Sequence, residues 1–187
     1  IAGALAEHPD AAVPHCPGWA VADLARHHGS VMRWAAAVVR TGERFELDSD
    51  GPADLAGSPL AAWYTAAIDP LVAELVAADP DRPCWTFLGT PRTVDFWVRR
   101  QALEAAIHRW DAQRAVGTPA GFPPEIPRAG VDEVIDEFLP RQVRLGRTEP
   151  LAGRIELQSS DDETVWLLED GGAEGTVTVR GRLDDLL

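Results

Sequence analysis

The organisation of this chain changes once, near Pro119 to Pro127: long stretches of helical spacing lie before it, and one further helix followed by short strand-like alternation lies after it. That switch implies a helical domain followed by a mixed one. Before it, residues 1–7 read as the end of a helix stopped by His8-Pro9-Asp10. A second helix is predicted from just after Cys16-Pro17-Gly18-Trp19 to about Thr41, where Gly42 is a stop signal, with Val21, Leu24, Val31, Ala35 and Val38 on its apolar seam. Residues 43–57 are polar with Gly and Pro and read as a loop. A third helix is expected over 59–78, carrying Leu60, Trp63, Tyr64, Ala67, Leu71 and Leu75, and a fourth over 93–116, ending at Gly117. Four helices with one apolar seam each predict an antiparallel bundle.

Beyond Pro127 a fifth helix is expected over 129–145, with Pro140 kinking it or ending it early. The alternating runs Ile155-Glu156-Leu157, Thr164-Val165-Trp166-Leu167-Leu168 and Thr176-Val177-Thr178-Val179-Arg180 follow. Asp161-Asp162 and Gly171-Gly172 separate them, which predicts a small antiparallel sheet. The expected fold class is mainly α, with a four-helix bundle over 1–118 and a small α+β domain over 124–187. Since the chain starts at Ile1 and stops within a helix-like Arg182-Leu183-Asp184-Asp185-Leu186-Leu187, residues are expected to be missing at both ends, and the second domain to be incomplete at its C-terminus.

With 45% hydrophobic residues such a chain can bury a core. Its 17 basic residues, all Arg, against 30 acidic ones leave a net charge of −13, and no basic stripe appears, which argues against nucleic acid as a partner. No apolar run approaches the ~18 residues that read as a membrane span, and nothing at the start resembles a signal peptide. Cys16 and Cys84 stand far apart with no CxxC pattern, so neither a zinc knuckle nor a disulfide framework is indicated. A reduced, cytoplasmic setting is expected.

Chemistry concentrates on two helices. Glu104 and His108 are four residues apart, and at about 100° per residue both side chains can converge on one ion. Trp97, Glu104, His108 and Asp111 share one narrow stripe beside an apolar one of Phe96, Leu103, Ile107 and Trp110. A polar stripe bordering a core seam is costly to bury unless its groups are paired or bind a metal; the plain alternative is a solvated face with an ordinary i,i+4 pair. The second helix carries His27-His28, and periodicity alone leaves open which of the two points inward. Either one with Glu104 and His108 makes a two-histidine, one-carboxylate set with open coordination positions, suited to zinc or another first-row metal. His8 and His15 lie in expected loops and receive no role. Cys16 is read as shaping the helix entry, and Cys84 as buried.

The spaced set Cys16-Pro17-Gly18-Trp19, Val21-Ala22-Asp23-Leu24-Ala25-Arg26-His27 with Gly29, Trp85-Thr86-Phe87, Phe96-Trp97-Val98-Arg99-Arg100 and Glu104 through Ile107-His108-Arg109-Trp110-Asp111 resembles the mycothiol-dependent maleylpyruvate isomerase family, whose N-terminal module is a DinB-like metal-binding four-helix bundle. The resemblance spans nearly the whole chain and implies metal ligands at His27, Glu104 and His108, choosing His27 over His28. Asp23 and Asp111, one turn from the histidines, could accept from the imidazole N–H groups, and ion pairs with Arg26 or Arg109 explain them equally well. The resemblance further implies a divalent metal, zinc first with nickel or iron as alternatives, and mycothiol as thiol cosubstrate. A metal-lowered thiol pKa would keep the thiolate nucleophile available near neutrality. In an isomerase that thiolate would add to the cis double bond of maleylpyruvate, allow rotation and leave again; in an S-transferase the adduct would be kept.

The implied partners are therefore a small-molecule thiol and a small electrophilic substrate. Arg92, Arg180 and Arg182 are candidate carboxylate-binding residues, because a guanidinium fork matches a carboxylate. Where many relatives carry His just before the glutamate, this chain has Leu103. Two other readings stay open: a metal-dependent hydrolase on the same bundle, which would act without a thiol, and a non-catalytic metal-binding or regulatory module.

Overall fold

The computed structural model describes residues 1–48, 51–88, 92–169 and 175–187. The chain divides into two compact units, Ile1–Ala120 and Gly121–Leu187.

The first unit is helical. Its elements are α1 (Ala2–Glu7), α2 (Val21–Thr41), α3 (Gly57–Thr65), α4 (Ile68–Ala77) and α5 (Val94–Ala115). The central helix is α2, which packs against all four others, and α4 also touches α5. Its start is fixed by the side chain of Asp23, which accepts a hydrogen bond from the Ala20 backbone N–H at 3.0 Å. It ends at Gly42, whose φ of +79° lets the backbone turn left-handed while its N–H bonds to the Val38 carbonyl. Val21, Leu24, Ala25, Ala35, Val38 and Val39 are fully buried along it and form the core with Leu5, Leu60 and Val94.

The expected third helix is two helices. α3 and α4 are separated at Ala66 and Ala67, where the Ala67 N–H turns back to the Tyr64 carbonyl, three residues away. Pro70 is the cause: it has no N–H for the Ala66 carbonyl, and its ring crowds that same oxygen. By length and composition alone the segment Gly57–Ala77 is apolar enough to cross a membrane. In the structure Leu60, Tyr64, Ala67 and Leu71 are core residues of the bundle.

The second unit holds α6 (Glu125–Glu133), a π-helical turn (Val134–Phe138), α7 (Leu139–Arg144), β1 (Arg154–Ser159), β2 (Val165–Glu169), β3 (Thr176–Gly181) and α8 (Leu183–Leu186). Pro140 leaves its mark here too. Rather than kinking or ending the helix outright, it follows a widened turn in which the Leu139 N–H reaches the Val134 carbonyl, five residues back, and the α-helix resumes with Pro140 in its first turn.

The sheet order is β2-β1-β3, with β1 antiparallel to β2 but parallel to β3. The expectation of an all-antiparallel sheet is therefore corrected. Alternation shows that a segment is extended and which residues share a face, but not which strand it lies beside, and β3 pairs with β1 instead of its predecessor. The expected Gly171-Gly172 separator lies outside the described residues. Trp166 on β2 is buried, and its indole N–H donates to Asp132 of α6 at 2.6 Å. Gly130 leaves room for Leu187, since a Cβ there would stand 2.4 Å from its Cδ1.

Candidate metal centre

Two local devices bring the polar side chains of α2 and α5 together. The first is an aromatic cluster: Trp34 of α2 meets Trp97 of α5 with ring centres 5.0 Å apart, flanked by Trp85, Phe87 and Phe96. The Trp97 indole N–H donates to the Trp85 carbonyl at 2.7 Å, which ties the cluster to the chain entering α5. The second is the turn at Cys16-Pro17-Gly18-Trp19. Pro17 and Gly18 occupy its centre, Gly18 has φ +84°, and the Trp19 N–H closes onto the Cys16 carbonyl at 2.9 Å. These are the residues and the conformation of a type II turn. It sets the Trp19 ring 5.1 Å from that of His27.

His27, Glu104 and His108 converge, with one ligand-type atom from each lying within 4.8 Å of the others. Glu104 Oε1 is 3.1 Å from His108 Nε2 and 3.6 Å from His27 Nε2. Two atoms each ~2.1 Å from a tetrahedral ion stand roughly 3.4 Å apart, so the two Glu104 distances suit a zinc-sized cation held between the carboxylate and the imidazoles. On the far side of its ring, His108 Nδ1 is 3.0 Å from Asp111 Oδ2. That contact fixes the ring so that Nε2 faces the cluster. The other carboxylate oxygen of Glu104 accepts from the Arg100 guanidinium, one turn earlier on α5.

The cluster is largely dry: Glu104 is 8% and Asp111 4% exposed, and His27 is the most open of the three converging side chains. Burial alone would push the Glu104 carboxyl up, but hydrogen bonds to His108 and His27 and the charges of Arg100 and His108 hold it well below the usual carboxylate range. For His108 burial alone would lower the pKa, yet hydrogen bonds and charge from Asp111 and Glu104 raise it to about 9. Without an ion the cluster therefore stores one positive charge on His108.

His28 takes a different place. Its side chain is buried, its Nδ1 lies 3.0 Å from the Tyr64 hydroxyl, and its ring is 5.6 Å from that of His108. Burial, then the neighbouring His108, lower its pKa to about 4. Burial also raises the Tyr64 phenol.

Among the other residues singled out from sequence, Asp23 is engaged with the Ala20 N–H and with Arg26, 3.1 Å away. Arg92 is exposed ahead of α5. Arg180 and Arg182 are exposed on the second unit, where Arg182 lies 4.0 Å from Asp161. Cys84 is buried against the Val38 carbonyl, and Cys16 is a half-buried free thiol whose pKa is raised by burial and by Asp111. Sequence reasoning overlooked Arg100 and the Tyr64–His28 contact. The first has a signal, since Arg100 and Glu104 are an i,i+4 pair. The second joins residues 36 positions apart and has none.

The fold resembles the crystal structure of a mycothiol-dependent maleylpyruvate isomerase carrying a histidine-to-alanine mutation, with a TM-score of 0.70 over 98% of this chain and 76% of that one. At 16% sequence identity this likeness concerns the fold. No curated protein sequence matches. The family model described as the mycothiol maleylpyruvate isomerase N-terminal domain matches residues 1–113, which include every helix of the first unit up to Gln113 and all three converging side chains, and the chain belongs to that family.

Proposed function

We propose that the protein is a metal-dependent enzyme that uses mycothiol to isomerise a maleylpyruvate-like substrate or to transfer the thiol to a small electrophile. The observation that carries this reading is the convergence of His27, Glu104 and His108, from two helices, within 4.8 Å, in a chain of this family. These three side chains are proposed to hold the ion, with zinc preferred by the donor set. A bound divalent cation supplies a lowered thiol pKa, so that thiolate is available near pH 7.

The chain's own residues prepare that chemistry. Asp111 accepts from His108 Nδ1–H and holds the ring in the tautomer whose Nε2 lone pair is free for an ion. Arg100 keeps one Glu104 oxygen occupied and the carboxylate charged, leaving Oε1 toward the two histidines. Trp19 packs against one side of the His27 ring. Arg92, Arg180 and Arg182 are proposed as partners for substrate carboxylates. Asp23 is engaged in capping and with Arg26, so its proposed support of the site is through the start of α2, which carries His27.

The test is metal-stripped protein reloaded with zinc, nickel or ferrous iron and assayed for conversion of maleylpyruvate with and without mycothiol, with His27→Ala as control. Thiol-dependent conversion in the loaded wild type, absent in His27→Ala, is the expected result. Hydrolytic activity without thiol would move the reading to a hydrolase on the same bundle, and a protein that binds no metal would leave a non-catalytic module.

A further inference from the structure

His28 is a buried histidine that the three-residue cluster does not use. It is 3% exposed, one residue after His27 on α2, with its ring 5.6 Å from His108 and 5.8 Å from Tyr64. Its two nitrogens are in opposite situations. Nδ1 lies 3.0 Å from the Tyr64 hydroxyl, while Nε2 is buried with no hydrogen-bond partner among the described residues. Among those residues the Tyr64 hydroxyl has no hydrogen-bond partner except Nδ1. With no other partner, the phenol satisfies its own donor only by giving its proton to Nδ1, and this arrangement, which leaves the fewest polar atoms unpaired, puts the proton of a neutral His28 on Nε2. A buried N–H without an acceptor has given up its hydration with nothing in return. Native interiors tolerate such a group mainly where a ligand, ion or water completes it.

A protonated Nε2 cannot ligate a metal, and Nε2 is not among the atoms that converge within 4.8 Å. It can donate. We propose that His28 is a positioning residue, held through Nδ1 by Tyr64, whose Nε2–H donates a hydrogen bond to an anionic acceptor atom of the small molecule bound beside His27, Glu104 and His108. This deepens the functional reading above and rests on its placement of the site. The acceptor is either the thiolate sulfur of the thiol or a carboxylate oxygen of the electrophile; both present a negative charge to one N–H donor. Gly29, the next residue, shows how closely this side of α2 is fitted to α3. A Cβ there would stand 2.3 Å from the Trp63 ring, and Trp63 immediately precedes Tyr64.

The test uses the zinc-loaded full chain as wild type, His28→Leu, His28→Gln and Tyr64→Phe, with mycothiol and maleate as separate probes. Nitrogen-15 NMR of the histidine side chains should show His28 protonated on Nε2 in wild type, with that resonance moving when one of the probes is added. Calorimetry should show binding of that probe weakened about tenfold in His28→Leu, the scale of one hydrogen bond to a charged group, and partly restored in His28→Gln, whose amide N–H reaches a similar point. Zinc affinity, measured by competition with a chelator, should change less than threefold in all variants. Tyr64→Phe should mix the two tautomers. Protonation on Nδ1 in the wild type, a tenfold loss of zinc affinity in His28→Leu, or failure of both probes to move the resonance would each overturn the proposal. If His28→Leu does not fold, the wild-type spectra and His28→Gln still decide it. Zinc binding without mycothiol binding would defeat the thiol reading alone, and a His28-dependent response to maleate would leave this inference standing.

Discussion

Raising the pH should weaken the metal-free fold through one residue, His108. Its imidazolium lies part-buried between Asp111 and Glu104, and their hydrogen bonds and charge overcome the cost of burial and raise its pKa to about 9, against an ordinary 6.5. The folded state thus holds this proton more tightly than the unfolded chain does. The stability it contributes is complete below pH ~6.5 and is lost as pH climbs through about 9. A gap of ~2.5 pH units at about 1.4 kcal/mol each corresponds to roughly 3 kcal/mol, a large share of a small domain's stability. Urea unfolding of chelator-treated protein at pH 6, 7.5, 9 and 10 is the assay, with Asp111→Asn beside the wild type. The wild type should lose stability across the window from pH 6.5 to 9.5, and Asp111→Asn, lacking one of the two anions that hold the proton, should lose clearly less. Stability independent of pH over that window, or an identical loss in Asp111→Asn, would refute the argument that these carboxylates store a proton on His108. Zinc should reverse the sign. Since the ion takes the proton's place on Nε2, its affinity should rise about tenfold per pH unit from 7 to 9, with close to one proton released per ion bound.

Three further outcomes follow from the same geometry. Glu104→Ala should destabilise the metal-free protein by ~3–5 kcal/mol in thermal or urea unfolding, because it removes the buried carboxylate that the part-buried Arg100 and protonated His108 share, and should abolish tight zinc binding. His27→Ala should lower zinc affinity at least ~100-fold in a chelator competition while costing little stability, since its side chain is a quarter exposed. Gly29→Ala should destabilise by ~1–3 kcal/mol, because the added methyl would sit 2.3 Å from the Trp63 ring; a melting temperature equal to wild type would show that Trp63 moves aside freely.

Helix stops were legible because each has a local cause: Gly42 and Gly117 take left-handed conformations at the ends of α2 and α5. The break between α3 and α4 was equally local, since Pro70 stands four residues beyond Ala66, yet the apolar seam runs on through the interruption and hides it. Hydrophobic period follows burial, and both halves are buried by the same neighbour, α2. The parallel pairing of β3 with β1 had no local signal. Strand direction depends on which neighbour a segment finds, and the spacing of Val177 and Val179 is the same in either arrangement.

The candidate site shows where spacing carries more than it first reveals. On α5, Trp97 precedes Glu104 by seven residues, and on α2, Trp34 follows His27 by seven. In two antiparallel helices equal steps in opposite senses reach the same level, about two turns or ~10.5 Å along the axes. The Trp34–Trp97 contact at 5.0 Å and the His27–Glu104 contact at 3.6 Å are therefore two rungs of one ladder. One rung is apolar and can be held by packing alone; the other is polar and would be expensive to bury without it. The tryptophans fix the separation at which the carboxylate and imidazoles meet, so the aromatic cluster belongs to the site as much as its ligand atoms do. Trp34→Leu should test that dependence: it removes ring contacts with Trp85, Phe87 and Trp97 without touching a ligand. Zinc affinity should fall by about tenfold or more in a variant that still folds, whereas an unchanged affinity would mean that His27, Glu104 and His108 hold their spacing by themselves.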